Sequence, residues 1–205
     1  MEDDGEMVGS DRTMADPAGM AATTWRTRDI VVAAVIGVAF GVVFWAWNLL
    51  WNALAPATGL TPLPNFLLYG VWLMPAVLAP LIVRKPGAAV FAELVAAIVS
   101  AFLPGNTWGP DVLLSGLVQG GAAEIVFAMT LYRGWTWPVL ALAAIASAAA
   151  AWIHDWVIWY PDVATDVQLL RGVVMAVSAV VIVGFGSLFL SQALRRAGVL
   201  QGFPS

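Results

Sequence analysis

Two glutamates lie inside long apolar stretches, where an ionised carboxylate has few ways of being stabilised. Glu93 lies in PGAAVFAELVAAIVSAFLPG and Glu124 in VLLSGLVQGGAAEIVFAMTLY. A charged side chain at the centre of a bilayer costs roughly 2.5–3.5 kcal/mol on insertion scales, so each glutamate is a functional hypothesis. Such a carboxylate can contact a polar ligand or act as an acid or base. The structural alternatives are a hydrogen-bonded pair between helices and a carboxyl group that burial keeps protonated.

Polar side chains on two successive apolar stretches can converge near Glu93. At helical spacing Glu93 shares an alanine-rich face with Ser100, and Gln119 lies on a glycine-rich face with Glu124 at its edge. Glu93 and Gln119 lie about 15 Å from the outer ends of their stretches and Glu124 about 21 Å. We therefore predict Glu93 and Gln119 as the floor of a pocket, with Glu124 in a supporting or structural position.

Aromatic residues accumulate at the outer ends of the same stretches, next to polar side chains. An interfacial aromatic belt is the alternative for each tryptophan taken singly. The excess at one end, with Asn and Asp neighbours, favours a ligand site. The predicted ligand contacts are Trp45, Asn48, Glu93, Asn106, Trp108, Gln119, Glu124, Asp155 and Trp156.

No catalytic or metal-binding set emerges from the other reactive residues. The chain has no cysteine and one histidine, which excludes disulfides, thiolate metal sites and a His-rich cluster. His154 and Asp155 are neighbours on one helix, so we expect them to point apart and to form no Ser-His-Asp set. For Arg171 we expect a salt bridge to Asp155, Asp162 or Asp166. No P-loop, zinc motif or dinucleotide fingerprint occurs, so we predict no cofactor and no enzymatic activity.

The elements that must position these residues are transmembrane helices. Of the 205 residues 61% are hydrophobic and 11% are charged, which indicates an integral membrane protein. Apolar stretches of about 20 residues, the length that crosses a bilayer, recur along the chain. They lie near 29–54, 66–83, 86–103, 111–132, 136–160 and 168–194. Because unpaired backbone groups are too costly in lipid, we predict an all-α bundle of six transmembrane helices.

Basic residues orient this bundle. Eight of the nine Lys and Arg residues fall on one side of a six-span arrangement, and Arg171 is the exception. The positive-inside rule then makes both termini cytoplasmic in a cell membrane. We predict two regions, a disordered acidic tail at 1–24 and a transmembrane substrate-binding domain at 25–205. Ala33, Gly37 and Gly41 form a small-residue stripe that serves either packing within the chain or docking to another membrane subunit.

Several short motifs together resemble one family over nearly all of residues 25–203. They are RKPGAA with the following Glu93, GNTWGP (Gly105 to Pro110), LVQGGAAEIVFA (Leu117 to Ala128), Asp155, Arg171 and LRRAGVLQGF (Leu194 to Phe203). In order and spacing they resemble the YkoE-type substrate-binding (S) components of energy-coupling factor (ECF) transporters. Ser100 is a departure, because the resemblance leads us to expect a second acidic residue there.

The resemblance implies a six-helix subunit that captures thiamine or its hydroxymethylpyrimidine precursor from outside the cell. It implies a transmembrane coupling (T) subunit and a pair of cytoplasmic ATPases as partners, with Ala33, Gly37 and Gly41 as the docking face. Glu93, Gln119 and the tryptophans suit an aminopyrimidine and a thiazolium cation. The alternatives are a stand-alone transporter or channel, a membrane enzyme that uses Glu93 or Glu124, and a purely structural subunit.

Overall fold

The structure, a computed structural model, describes residues 24–58 and 63–203, and all regular elements within them are helical. The helices are α1 (Thr27–Thr58), α2 (Leu63–Phe66), a 3-10 segment (Tyr69–Leu73), α3 (Met74–Val83), α4 (Ala88–Phe102), α5 (Asp111–Met129), α6 (Trp137–Ile158), α7 (Thr165–Ser178), a π-helical segment (Ala179–Phe185) and α8 (Gly186–Arg196). The predicted tail at 1–24, except Thr24, and residues 59–62 between the first two predicted spans lie outside the described residues.

These elements form six helical segments, of which four are long and apolar enough to cross a membrane. The four are Thr27–Leu54, Asp111–Met129, Trp137–Ile158 and Thr165–Arg196, and the shorter two are Tyr69–Val83 and Ala88–Phe102. The predicted all-helical membrane fold is confirmed, with four segments long enough to cross a membrane and two shorter apolar segments among the described residues. The second segment begins at Tyr69, later than predicted, and its first five residues form a 3-10 helix. Helix α4 ends at Phe102, two residues before Pro104.

The turn between α3 and α4 depends on two residues with positive φ. Arg84 ends α3 at φ 51°, and Gly87, at φ 85°, immediately precedes α4. Glycine adopts this conformation without a Cβ clash, and Pro86 cannot continue a helix. This sharp reversal lays α4 against α3.

Helix α4 is central because glycines on both neighbouring helices let their backbones approach it. A Cβ at Gly37 of α1 would lie 2.6 Å from the Val95 Cβ, and one at Gly120 of α5 would lie 2.9 Å from the Val90 Cα. Gly41 makes the same kind of approach, and Ala33 is fully buried. The predicted docking stripe therefore packs within the chain in this structure and offers no exposed face to a partner.

The irregular parts of the second and sixth segments lie against each other. The Ser178 hydroxyl accepts a hydrogen bond from the Gly70 N–H at 2.9 Å and donates one to the Leu67 carbonyl at 2.7 Å. A Cβ at Gly70 would lie 2.8 Å from the Ser178 carbonyl oxygen. This close contact fixes the 3-10 segment, which carries Tyr69 and Trp72 into the interior.

Candidate functional site

A cavity opens at the end of the bundle that carries the Gly105–Pro110 loop, which we call the upper end. It encloses about 640 Å³ of empty space, a figure that includes open solvent at its mouth. The cavity is lined by Phe44, Asn48, Trp51, Phe66, Tyr69, Trp72, Glu93, Ala97, Ser100, Trp108, Asp111, Val112, Ser115, Gly116, Gln119, Asp155, Trp159 and Tyr160.

Glu93 and Gln119 lie on the facing helices α4 and α5 and both line this cavity. Glu93 is 1% exposed, and its Oε2 accepts a hydrogen bond of 3.0 Å from the Ala76 N–H. Ala76 belongs to the first turn of α3, where free N–H groups and the helix dipole stabilise a carboxylate. The Gln119 Nε2 donates to the Ser115 hydroxyl at 2.6 Å, which fixes the orientation of the amide. The two polar groups are thus held in place before any ligand binds.

Aromatic rings form the walls of the cavity. Trp51 of α1 packs edge-on against Phe66 at 5.2 Å and Trp72 at 5.0 Å between ring centroids. Near the upper end, Trp108 and Trp159 meet at 4.9 Å with perpendicular rings. Such T-shaped contacts hold the rings in fixed orientations, so they present both faces and edges to a flat ligand.

The rim of the cavity carries two aspartates that contact one histidine. The His154 Nδ1 lies 3.1 Å from Asp155 Oδ1, and its Nε2 lies 3.2 Å from Asp111 Oδ1. The sequence-based expectation that His154 and Asp155 point apart is therefore wrong. Asp111, at the start of α5, provides the second contact of the imidazole. Asp111, His154 and Asp155 are hereafter the Asp–His–Asp cluster.

Arg171 makes a different set of contacts from the expected salt bridge. Its guanidinium lies 4.0 Å from the Tyr160 ring centroid and 4.3 Å from that of Phe66. The Nη1 donates to Gln168 Oε1 at 2.5 Å, whereas Nε and Nη2 have no hydrogen-bond partner among the described residues. No carboxylate of the described residues lies within 4.0 Å of it. Arg171 therefore supports the aromatic wall from behind through cation–π contacts.

Glu124 lies outside the cavity, towards the opposite or lower end of the bundle. Its carboxylate accepts hydrogen bonds from the Gly87 N–H (2.6 Å), the Ala89 N–H (2.9 Å) and the Tyr132 hydroxyl (2.7 Å). It thereby ties α5 to the beginning of α4, where a negative charge is favourable. The structure thus gives Glu124 a helix-capping role.

The remaining predicted contacts divide between the cavity and its surroundings. Asn48, Trp108 and Asp155 line the cavity together with Glu93 and Gln119. Trp45 instead donates to the Pro104 carbonyl at 2.7 Å, and the Asn106 side chain bonds the Gly109 carbonyl and the Trp108 N–H inside the loop. Trp156 packs on Trp152 at 5.2 Å. Trp45, Asn106 and Trp156 are therefore absent from the cavity lining.

The sequence-based candidate list omitted several lining residues, for two different reasons. Trp51 and Trp159 belong to the aromatic residues that accumulate at the outer ends of the apolar stretches, and Ser100 shares a face with Glu93. The sequence therefore contained a signal for each of these three residues. Tyr69 and Trp72 lie in a segment without polar periodicity. Only the 3-10 turn rotates them towards the cavity, and helical-wheel reasoning assumes no such turn.

Comparisons with known proteins agree with this architecture. A family model described as "ABC-type cobalt transport system, permease component" matches residues 28–150. The "Putative HMP/thiamine permease protein YkoE" of Bacillus subtilis (strain 168) is 36% identical over 180 residues, which cover 87% of this chain and 89% of that protein. A solved structure, "Crystal structure of an S-component of ECF transporter", superposes with a TM-score of 0.83 at 35% identity and covers 87% of this chain and 90% of its own.

Proposed function

Because this chain belongs to the family of S components of ECF transporters, we propose that its cavity captures thiamine or the hydroxymethylpyrimidine precursor of thiamine. The predicted family, the substrate-binding role and the multi-pass location in the cell membrane are confirmed by the two relatives. The ligand is proposed because the Bacillus subtilis relative bears the name of an HMP/thiamine permease. The relatives are transporter components, which supports a binding role without catalysis.

The observation that carries the proposal is the combination of a fixed polar floor with aromatic walls. An aminopyrimidine presents neighbouring donor and acceptor atoms, which a carboxylate and an amide such as Glu93 and Gln119 can pair. Its flat ring can stack on the tryptophans of the wall. A thiazolium cation gains roughly 0.5–2 kcal/mol over an aromatic face, and Asp111 and Asp155 supply negative charge at the rim.

The name of the family model raises cobalt as a second ligand, which the donor set does not favour. Within the described ranges no group of three or more His, Cys, Asp or Glu side chains is arranged to hold a metal ion. A site for a divalent transition metal needs several such donors around one point. The aromatic lining instead suits an organic cation.

We further propose that the lower end is cytoplasmic and faces the T subunit and the ATPase pair. Contacts within the chain gather its basic segments there. Trp25 donates to the Pro86 carbonyl at 2.9 Å, Arg28 lies 5.0 Å from the Phe203 ring centroid, and Arg84 lies 5.6 Å from the Trp135 ring centroid. The upper end would then receive the ligand from outside. Docking through Ala33, Gly37 and Gly41 would require α1 to move away from α4.

Calorimetry on the detergent-solubilised protein tests the ligand. We expect saturable binding of thiamine or hydroxymethylpyrimidine at a stoichiometry of about one, because Glu93 and Gln119 together form a single polar floor in this cavity. Cobalt chloride serves as the competing ligand. Binding of cobalt without either organic ligand would contradict the proposal.

A further inference from the structure

The hydrogen atoms in the Asp–His–Asp cluster can be counted from its geometry. Two of its four carboxylate oxygens face the two His154 nitrogens, at 3.1 Å for Asp155 and 3.2 Å for Asp111. The other two already accept hydrogen bonds, from the Tyr69 hydroxyl at 2.9 Å and the Trp159 indole N–H at 2.8 Å. Every oxygen therefore has one polar contact, and two of these contacts run to the imidazole.

A neutral imidazole has one N–H donor and one acceptor nitrogen. It therefore cannot donate to two ionised carboxylates at once, and two nitrogen–oxygen contacts of this length need two hydrogens between them. Either His154 is an imidazolium between two carboxylates, or it is neutral and one aspartate is a carboxylic acid. Both assignments give the three side chains together one net negative charge.

Losing one of these protons has two consequences at the rim. One nitrogen–oxygen contact loses its hydrogen, and the cluster gains a second negative charge. Asp111 and Asp155 line the cavity, whereas His154 does not, so His154 acts on a ligand only through the two carboxylates. We propose that His154 is a positioning residue that sets the charge at the rim and thereby determines how strongly the subunit prefers a cationic ligand over a neutral one. This inference rests on the proposed function.

The other groups around the cluster keep their charge near neutral pH. Tyr69 contacts Asp155 from the 3-10 segment, Tyr160 follows the end of α6, and Arg171 of α7 lies beyond the Tyr160 ring. Tyrosine and arginine side chains do not ionise or deprotonate between about pH 7 and about pH 8.5. Glu93 lines the same cavity and is buried, so a pH-dependent change in ligand preference is assigned to the Asp–His–Asp cluster only where the His154 variants, which retain Glu93, abolish it.

Two ligands of different charge provide the measurement. Thiamine carries a permanent positive charge on its thiazolium ring, and 4-amino-5-hydroxymethyl-2-methylpyrimidine lacks that ring. The readout is the Kd of the pyrimidine divided by that of thiamine, measured by calorimetry at about pH 7 and about pH 8.5. A purely structural loosening of the rim would weaken both ligands and leave this ratio unchanged. An added negative charge within about 10 Å strengthens the binding of the cation alone, on the order of tenfold.

Three substitutions make the test specific to His154. We expect the ratio to rise with pH in the wild type on the order of tenfold. In His154→Gln it should be high at both pH values, because the neutral amide leaves both aspartates ionised. In His154→Lys it should be low at both, because the ammonium stays charged. In Asp111→Asn the ratio should be the same at both pH values. Only the Asp155 carboxylate then needs a hydrogen from His154, and a neutral imidazole supplies it. Any protonation of the pyrimidine itself is the same for every variant.

The outcomes separate this inference from the proposed function. The role of His154 would be overturned if the wild type binds thiamine with the same Kd ratio at both pH values. It would also be overturned if the ratio in His154→Gln changes with pH as it does in the wild type. Either result would leave the proposed function standing. If the wild type binds neither ligand, both fail. If His154→Gln does not fold, the Kd ratios of the wild type and of Asp111→Asn at the two pH values test the inference instead. A ratio that changes with pH equally in both proteins would then overturn it.

Discussion

The two membrane-embedded glutamates are similar in sequence context but differ in their contacts. Glu93 has one protein donor to Oε2, the Ala76 N–H, and lines the cavity. Glu124 receives three hydrogen bonds within the chain and lies away from the cavity. A carboxylate whose bonding capacity is already used has little left for a ligand. Glu93 is therefore the better ligand contact, and Glu124 is a structural cap.

The two glutamates should respond differently to the same substitution. Glu93→Gln removes the charge and replaces one of the two acceptor oxygens with an NH2 donor, so we expect thiamine affinity to fall about 10- to 100-fold, which corresponds to a charged hydrogen bond. Glu124→Gln is the matched control. It should lower the melting temperature with a smaller effect on affinity. Equal losses of affinity in the two variants would contradict this assignment.

The tryptophans of the upper end offer a second matched pair. Trp51 lines the cavity and contacts three other aromatic rings, whereas Trp156 packs only on Trp152 among the ring contacts of the described residues. Sequence reasoning alone selected Trp156. From the structure we expect Trp51→Ala to weaken thiamine binding at least tenfold, because the stacking that is lost is worth about 1–2 kcal/mol. We expect Trp156→Ala to change thiamine binding less than threefold. Intrinsic fluorescence titrations measure both, and the reverse order would restore Trp156 as a ligand contact.

At the scale of helices, close packing around α4 determines where the site lies. Glycines of α1 and α5 bring their backbones against α4, which places Glu93 and Gln119 opposite each other. The 3-10 segment then turns Tyr69 and Trp72 towards the same space. The site therefore depends on helix contacts made far from the ligand.

The α1–α4 contact predicts a stability effect in the isolated subunit. Gly37→Leu would place a side chain where even a Cβ lies 2.6 Å from Val95, so we expect a loss of about 1–3 kcal/mol. Thermal unfolding in detergent measures it, and Ala39→Leu, on the exposed face of the same helix, should have little effect. An unchanged melting temperature in Gly37→Leu would indicate that the stripe serves a partner subunit only.

At the scale of the whole molecule, an S component binds its ligand and depends on other subunits for energy. Purified protein in liposomes should bind thiamine but accumulate none beyond its binding stoichiometry. ATP-dependent uptake should begin only when a T subunit and an ATPase pair are reconstituted with it. Counterflow of labelled thiamine through the protein alone would support the stand-alone transporter instead. Turnover of a lipid or prenyl substrate would support a membrane enzyme.

The sequence by itself determined the six apolar segments, their helical state and the shared depth of Glu93 and Gln119. These properties follow from local composition and periodicity, which do not depend on distant residues. The family resemblance, read from short motifs, was confirmed by the relatives.

Only the tertiary structure decided which polar and aromatic side chains meet. The contact of His154 with Asp111 joins residues 43 positions apart, and Arg171 found two aromatic rings in place of a carboxylate. Both depend on how each helix is rotated about its axis. The 3-10 segment changes that rotation at the beginning of the second segment, and the π-helical segment changes it midway along the sixth. A helical wheel assumes an unbroken helix, so it could not place Tyr69 and Trp72 on the cavity or distinguish Trp51 from Trp156.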